Sequence, residues 1–162
     1  MGLLVAWTKL WDAYPDYQTS PNSAAVKADI GGEVTEGWLG VNSCTIRLSR
    51  GLNYSGLPVP ANHPGLHTVR GGDGKRYAFR VAEMRRYLTF KYGRPDFDRT
   101  KKRGDAFDKN TLASLRGIIA FDIHFADATG HLDLWDGHTF SHEPAAAEYW
   151  QTATQISLWK TL

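Results

Sequence analysis

The chain has 162 residues, 42% of them hydrophobic and 22% charged, with a formal charge of +2 at pH 7. That length fits a single domain, residues 1–162, burying roughly 70% of its unfolded surface, and the apolar content excludes intrinsic disorder. The near-neutral charge requires no nucleic acid, no apolar run reaches the ~18 residues of a membrane span, and the single cysteine excludes an intrachain disulfide.

Met1 to Tyr14 lacks a basic start and a cleavage-type end, so it does not read as a signal peptide. Action outside the cell would need a route other than general secretion. Leu3, Leu4, Trp7, Leu10, Trp11 and Tyr14 mark one face of a first helix, closed by Pro15. Pro21, Asn22 and Ser23 open a second helix through Val26 and Ile30, stopped by Gly31 and Gly32. Glu33 to Val41 reads as a loop carrying Trp38, whose flanking glycines would let its ring lie near Cys44.

A third helix follows. Cys44, Leu48 and Leu52 recur every fourth residue and share one stripe. Asn42 or Ser43 can cap its start, which places Cys44 in the first turn. The unpaired N–H groups and the positive end of the helix dipole there favour a thiolate, and Arg47, one turn on, would add to the effect. A lone cysteine is equally an ordinary small core residue. Pro58, Pro60 and Pro64 then make Tyr54 to His67 extended, with His63 and His67 on the surface.

Gly71 to Gly74 form a turn, and Arg76 to Val81 a strand. Val81, Met84, Tyr87, Leu88 and Lys91 have helical period, ended by Gly93 and Pro95. Arg94 to Lys109 crowds charges of both signs and reads as a solvated loop. Arg116 to Phe125 is a buried strand, Asp127 to Gly130 a turn, and His131 to Asp136 the return strand of a hairpin. Alternation puts His131, Asp133 and Trp135 on one face, and Leu132 and Leu134 on the other, toward the core. Ser141 to Ala146 is a loop, and Tyr149 to Trp159 a last strand or mixed segment. Helices first and sheet last make an α+β domain, helices packed on a small antiparallel sheet.

An early helix-borne thiol and a late strand-borne histidine match the papain-like plan. The histidine holds the thiol as a thiolate and later protonates the leaving amine. A third polar group orients the imidazole, and Asp133, Asp136 or His142 is available for this. The backbone N–H of Cys44 is a natural oxyanion donor, with a second from the loop between Trp38 and Asn42.

Asn42-Ser43-Cys44-x-Ile46-Arg47-Leu48-Ser49, with Leu52, Asn53 and Gly56, resembles the cysteine motif of the type VI secretion amidase effectors, specifically their fourth class. Gly117-Ile118-Ile119 and Gly130-His131-Leu132-x-Leu134-Trp135-x-Gly137 resemble that family's histidine motif, and Tyr77 through Arg80-Val81 to Gly93-x-Pro95 also fits. The resemblance implies a papain-like NlpC-type cysteine peptidase fold. It implies an antibacterial toxin made in the cytoplasm and delivered by type VI secretion machinery to the periplasm of a target bacterium. There it would act as a peptidoglycan amidase, a cysteine D,L-endopeptidase. The bond cut through a thioester is the D-Glu–meso-diaminopimelate amide of the stem peptide. A cognate immunity protein is implied as partner, and no cofactor or metal. Cys44 takes the nucleophile's place and His131 that of the general base and acid. The family's third residue, an aspartate, falls on His142, eleven positions after His131, with Asp133 as the alternative and Asp136 last. The family's other cysteines, which would tie loops, are absent.

Two other classes use the same residues differently. His131-x-Asp133 and His138-x-x-x-His142 supply ligands for a zinc hydrolase. The six tryptophans would suit a non-catalytic wall-binding module in which Cys44 is inert.

Overall fold

A computed structural model describes residues 5–40, 42–102, 105–123, 130–140 and 148–162. Five helices and six strands are built from them: α1 (Trp7–Ala13), α2 (Ser23–Ile30), α3 (Cys44–Tyr54), β1 (Thr68–Arg70), β2 (Arg76–Ala78), α4 (Val81–Tyr92), β3 (Phe97–Thr100), β4 (Gly117–Asp122), β5 (Gly130–Trp135), α5 (Tyr149–Thr152) and β6 (Gln155–Lys160). The main sheet is antiparallel with strand order β3-β6-β4-β5, and β1 and β2 form a separate hairpin. This bears out helices packed on a small antiparallel sheet. No helix of the described residues is long and apolar enough to cross a membrane.

The expected β4–β5 hairpin is present, with Phe121 opposite His131 and Ile119 opposite Asp133. All six residues of β5 are buried. One face packs Leu132 and Leu134 under α3 and α4 with Leu48, Met84 and Leu88. The other is covered too: Trp135 lies with Phe121, Phe140 and Trp150, and its indole N–H donates to the Leu112 carbonyl at 3.0 Å. Two segments depart from the sequence reading. Within the charged stretch expected as loop, Phe97–Thr100 pairs with β6 through its backbone while Asp98, Arg99 and Thr100 stay exposed. Charges on a sheet edge discourage further pairing, which is why an edge strand can read as loop. After the proline-rich stretch, Thr68–Arg70 is a strand, paired to β2 across the expected glycine turn.

The polar residues around the cysteine motif hold α3 in place. Arg47 is wholly buried. Its guanidinium donates to the carbonyls of Pro15 (2.9 Å), Asp16 (3.2 Å), Ser20 (2.7 Å) and Asn22 (3.3 Å) and to Ser43 Oγ (3.1 Å), and it lies 3.8 Å over the Tyr17 ring. Arg47 therefore faces the segment between α1 and α2 and ties it to the first turn of α3. Ser49 Oγ donates to the Thr45 carbonyl (2.9 Å) and accepts the Ala78 N–H (3.0 Å). Asn53 accepts the Val59 N–H (2.8 Å) and donates to the Arg76 carbonyl (2.7 Å). Asp73 accepts from Tyr54, Tyr77 and Arg50, fastening the β1–β2 turn to the same helix.

The loop before Cys44 is fixed from two sides. Gly32 has φ +67, and a Cβ there would lie 2.6 Å from the backbone of Gly71 and Gly72, so only glycine permits the close approach. Buried Lys27 donates to the Gly40 carbonyl.

Arg47→Met takes a donor from four carbonyls at once, of which those of Asp16 and Asn22 keep a backbone N–H. At about 1–3 kcal/mol per lost acceptor partner, partly relieved by entering water, stability should fall by about 3 kcal/mol and the melting temperature by roughly 6–12 °C. A calorimetric shift under about 2 °C would contradict this role.

Candidate functional site

Cys44 is the first residue of α3. Its N–H donates to Asn42 Oδ1 at 3.0 Å, so Asn42 rather than Ser43 caps the helix start. Cys44 is 1% exposed, and its sulfur lies 3.9 Å from Thr45 Oγ1. It acts electrostatically on the imidazole of His131, the second residue of β5. The ring's Nε2 lies 3.1 Å from Asp133 Oδ2. Asp133 is fully buried, and its Oδ1 accepts the N–H of Leu134 at 2.7 Å. Tyr149, at the start of α5, places its ring 4.6 Å from the imidazole, tilted by 40°. Thiol, imidazole and carboxylate are thus coupled across the junction of α3 and β5.

Burial works against an imidazolium at His131. Hydrogen bonds to Asp133 and Cys44, and the negative charge each can carry, outweigh it and push the ring up to about 10. The same negative charge reaches Tyr14, whose phenol is raised well above its ordinary value, first by burial and then by Asp133.

Of the residues expected from sequence, the structure brings Cys44 and His131 together. His142 lies outside the described residues. Asp133, on the strand face shared with His131, reaches along the strand to the ring. Asp136 is turned to its own loop, accepting the N–H groups of His138 and Thr139 at 2.7 Å each. The Cys44 N–H, expected as an oxyanion donor, is engaged by Asn42. Trp38 is 64% exposed and meets the Phe79 ring edge-on at 5.3 Å. His67 is tied to buried Glu83, by its ring at 2.8 Å and its N–H at 2.8 Å, and Arg80 Nη1 donates to the same carboxylate at 3.0 Å. Those contacts and the His67 charge outweigh burial and hold the Glu83 carboxyl below its usual range. Among the described residues no three His, Cys, Asp or Glu side chains converge as metal ligands.

A family model described as "Type VI secretion system (T6SS), amidase effector protein 4" matches residues 41–159. Solved structures match over nearly the whole chain. The effector of the Tae4–Tai4 effector–immunity complex from Enterobacter cloacae is 30% identical, with 99% of this chain and 100% of that one covered and a TM-score of 0.82. Tae4 from Enterobacter cloacae determined alone gives 30% identity, 99% of each chain and a TM-score of 0.82. The Tae4/Tai4 system from Salmonella typhimurium gives 28% identity, 99% and 100% coverage and a TM-score of 0.82. A sequence comparison with curated proteins gives no match.

The raised pKa of His131 has a sign that can be read out. Its folded value, about 10, lies above the ordinary 6.5. Its stabilising contribution is therefore complete below pH 6.5 and lost as pH rises through about 10. Nitrogen-15 shifts of the ring should stay at imidazolium values at pH 8, and Asp133→Asn should lower the titration by about one unit or more. A wild-type ring titrating near 6.5 would contradict the arrangement.

Proposed function

The chain belongs to the type VI secretion system amidase effector protein 4 family, and on that footing we propose that it is an antibacterial peptidoglycan amidase working through Cys44. Its reaction is hydrolysis of the amide between D-glutamate and meso-diaminopimelate in the stem peptide. Its fold is read as the papain-like NlpC type, one catalytic domain over residues 1–162. The observation that carries this reading is the buried chain from Asp133 through His131 to Cys44.

The chemistry runs in two halves. An imidazolium held against the sulfur favours the thiolate, the nucleophilic form. The thiolate attacks the glutamyl carbonyl carbon, and the carbonyl electron pair moves to oxygen. As the C–N bond breaks, His131 gives its proton to the departing diaminopimelate amine, leaving a thioester on Cys44. Water then attacks the thioester, His131 takes the water's proton, and the C–S bond breaks. The carboxylate leaves, and the proton returns the pair to its starting state. Asp133 fixes the tautomer and orientation of the ring and offsets the imidazolium charge.

An oxyanion forms in both halves and needs donors within hydrogen-bond distance. The Cys44 N–H points from a helix start and suits this. Asn42 Oδ1 must yield it when the carbonyl oxygen acquires charge, since one N–H cannot serve both acceptors fully. His142 keeps its sequence-based candidacy as a second support for His131, on the family position alone. The solved Tae4 relatives from Enterobacter cloacae and Salmonella typhimurium include complexes with Tai4. By that likeness this chain has a cognate immunity protein, is delivered by type VI secretion machinery, and acts in the target's periplasm.

Mass spectrometry of digested sacculi tests the bond and the nucleophile together. Wild type should release fragments with a free diaminopimelate amine and a new glutamyl carboxyl. Cys44→Ala should release none while its circular dichroism is unchanged. Asp133→Asn should lower kcat by about 10²–10⁴ with a smaller change in KM, the effect of losing an imidazole-orienting carboxylate. Cleavage by Cys44→Ala, or cleavage at another bond, would reject the proposal.

A further inference from the structure

The segment Ala78 to Val81 joins β2 to α4 and runs past the catalytic pair. Three contacts place it there. Ala78 is hydrogen-bonded to Ser49 on α3. A Cβ on Gly130, which precedes His131, would lie 3.1 Å from Val81 Cγ1. Phe79 meets Trp38, in the loop that leads to Cys44, at 5.3 Å. Arg80 sits between these contacts with its guanidinium 5.1 Å from the centre of the Phe79 ring. Trp38, Phe79 and Arg80 therefore make a continuous patch on the segment that packs against α3 and faces Gly130, the neighbour of His131.

Arg80 is built as a donor that faces outward. Its side chain is 53% exposed. Nη1 contacts Glu83 Oε1 at 3.0 Å and His67 Nδ1 at 3.3 Å. Glu83 is itself buried and held by the His67 N–H, so it anchors the guanidinium from below. A guanidinium has five N–H donors, and these contacts occupy one of its three nitrogens. The remaining edge matches the two oxygens of a carboxylate, and the Phe79 face lowers the freedom lost on binding.

We infer that Arg80 is a specificity-determining residue that receives the free α-carboxylate of the D-glutamate on the acyl side of the scissile bond, with Trp38 and Phe79 as the apolar wall beside it. The inference rests on the amidase reading above. In a glutamate joined through its γ-carboxyl, that α-carboxylate stands about 5 Å from the scissile carbon, four single bonds of ~1.5 Å at tetrahedral angles. Arg80 lies between Ala78, bonded to α3, and Val81, which faces Gly130 beside His131, and this placement is what the inference rests on.

Two soluble tripeptides test this, one carrying D-glutamate and one carrying D-isoglutamine, in which an amide replaces that carboxylate. With the D-glutamate peptide, Arg80→Gln should lower kcat/KM by about 10- to 100-fold, mostly through KM, as expected for a charge-assisted hydrogen bond to substrate. With the D-isoglutamine peptide it should change less than about 3-fold. Arg80→Lys should recover only part of the loss, because a point charge replaces a two-pronged contact. Calorimetric binding of both peptides to the Cys44→Ala chain, with and without Arg80→Gln, should give the same pattern without turnover. Equal losses on both peptides, or no loss on either, overturn the assignment. Failure of wild type to cut either peptide overturns the reaction itself, and the inference with it.

Discussion

The buried guanidinium of Arg47 is the constraint on which the rest of the molecule turns. A charged side chain removed from water is costly unless its hydrogen bonds are satisfied. Here four main-chain carbonyls of residues 15–22, a serine hydroxyl and an aromatic face take that part. Two of those carbonyls, of Asp16 and Asn22, also accept the N–H groups of Ser20 and Val26, so the cation adds to bonds that this connection already makes. One side chain thereby fixes the turn between α1 and α2 against the first turn of α3, which carries the thiol. Ser49 and Asn53, further along the helix, do the same for the β2 junction and the proline-rich segment.

A helix start held this firmly can meet a strand residue with little freedom lost, and β5 supplies one. His131 is deeply buried, which alone would strip its proton. A carboxylate on one side and a thiol on the other reverse that outcome. The ordering of effects matters more than their size: the site is desolvated, so each hydrogen bond within it is stronger than it would be in water. Trp38, Phe79 and Arg80 form a contiguous group in which Glu83 anchors the guanidinium.

Much of this was legible from residues alone, for identifiable reasons. The Cys44 stripe and the β4–β5 hairpin carry strong local periodicity, and the glycine pairs mark real turns. The motif resemblance, carried by residues around Cys44 and His131, led to the right family. What was not legible depends on partners far away in the chain. Strand β3 is recognised only by pairing with β6, more than fifty residues later, because its own side chains look like a solvated loop. Arg47 looks like a surface cation near a thiol until the 15–22 segment folds over it. Asp133 needed a rotamer that reaches along the strand, and alternation supplies a face but no rotamer. Asn42 was expected as one of two possible caps, and its grip on the Cys44 N–H follows from loop geometry that no periodicity encodes.

The position of β6 has a consequence for when the molecule comes into being. It is the last strand in sequence, yet it lies between β3 and β4. Beyond it, the Trp7 N–H donates to the Leu162 carbonyl and the Leu162 N–H to that of Val5, so the first helix leans on the final residue. Contacts of such long sequence separation form late. Until β6 is in place, β3 lacks the strand it pairs with and α1 lacks its bonds to Leu162. The frame around the thiol of α3 and the imidazole of β5 is therefore completed by a segment distant from both in sequence.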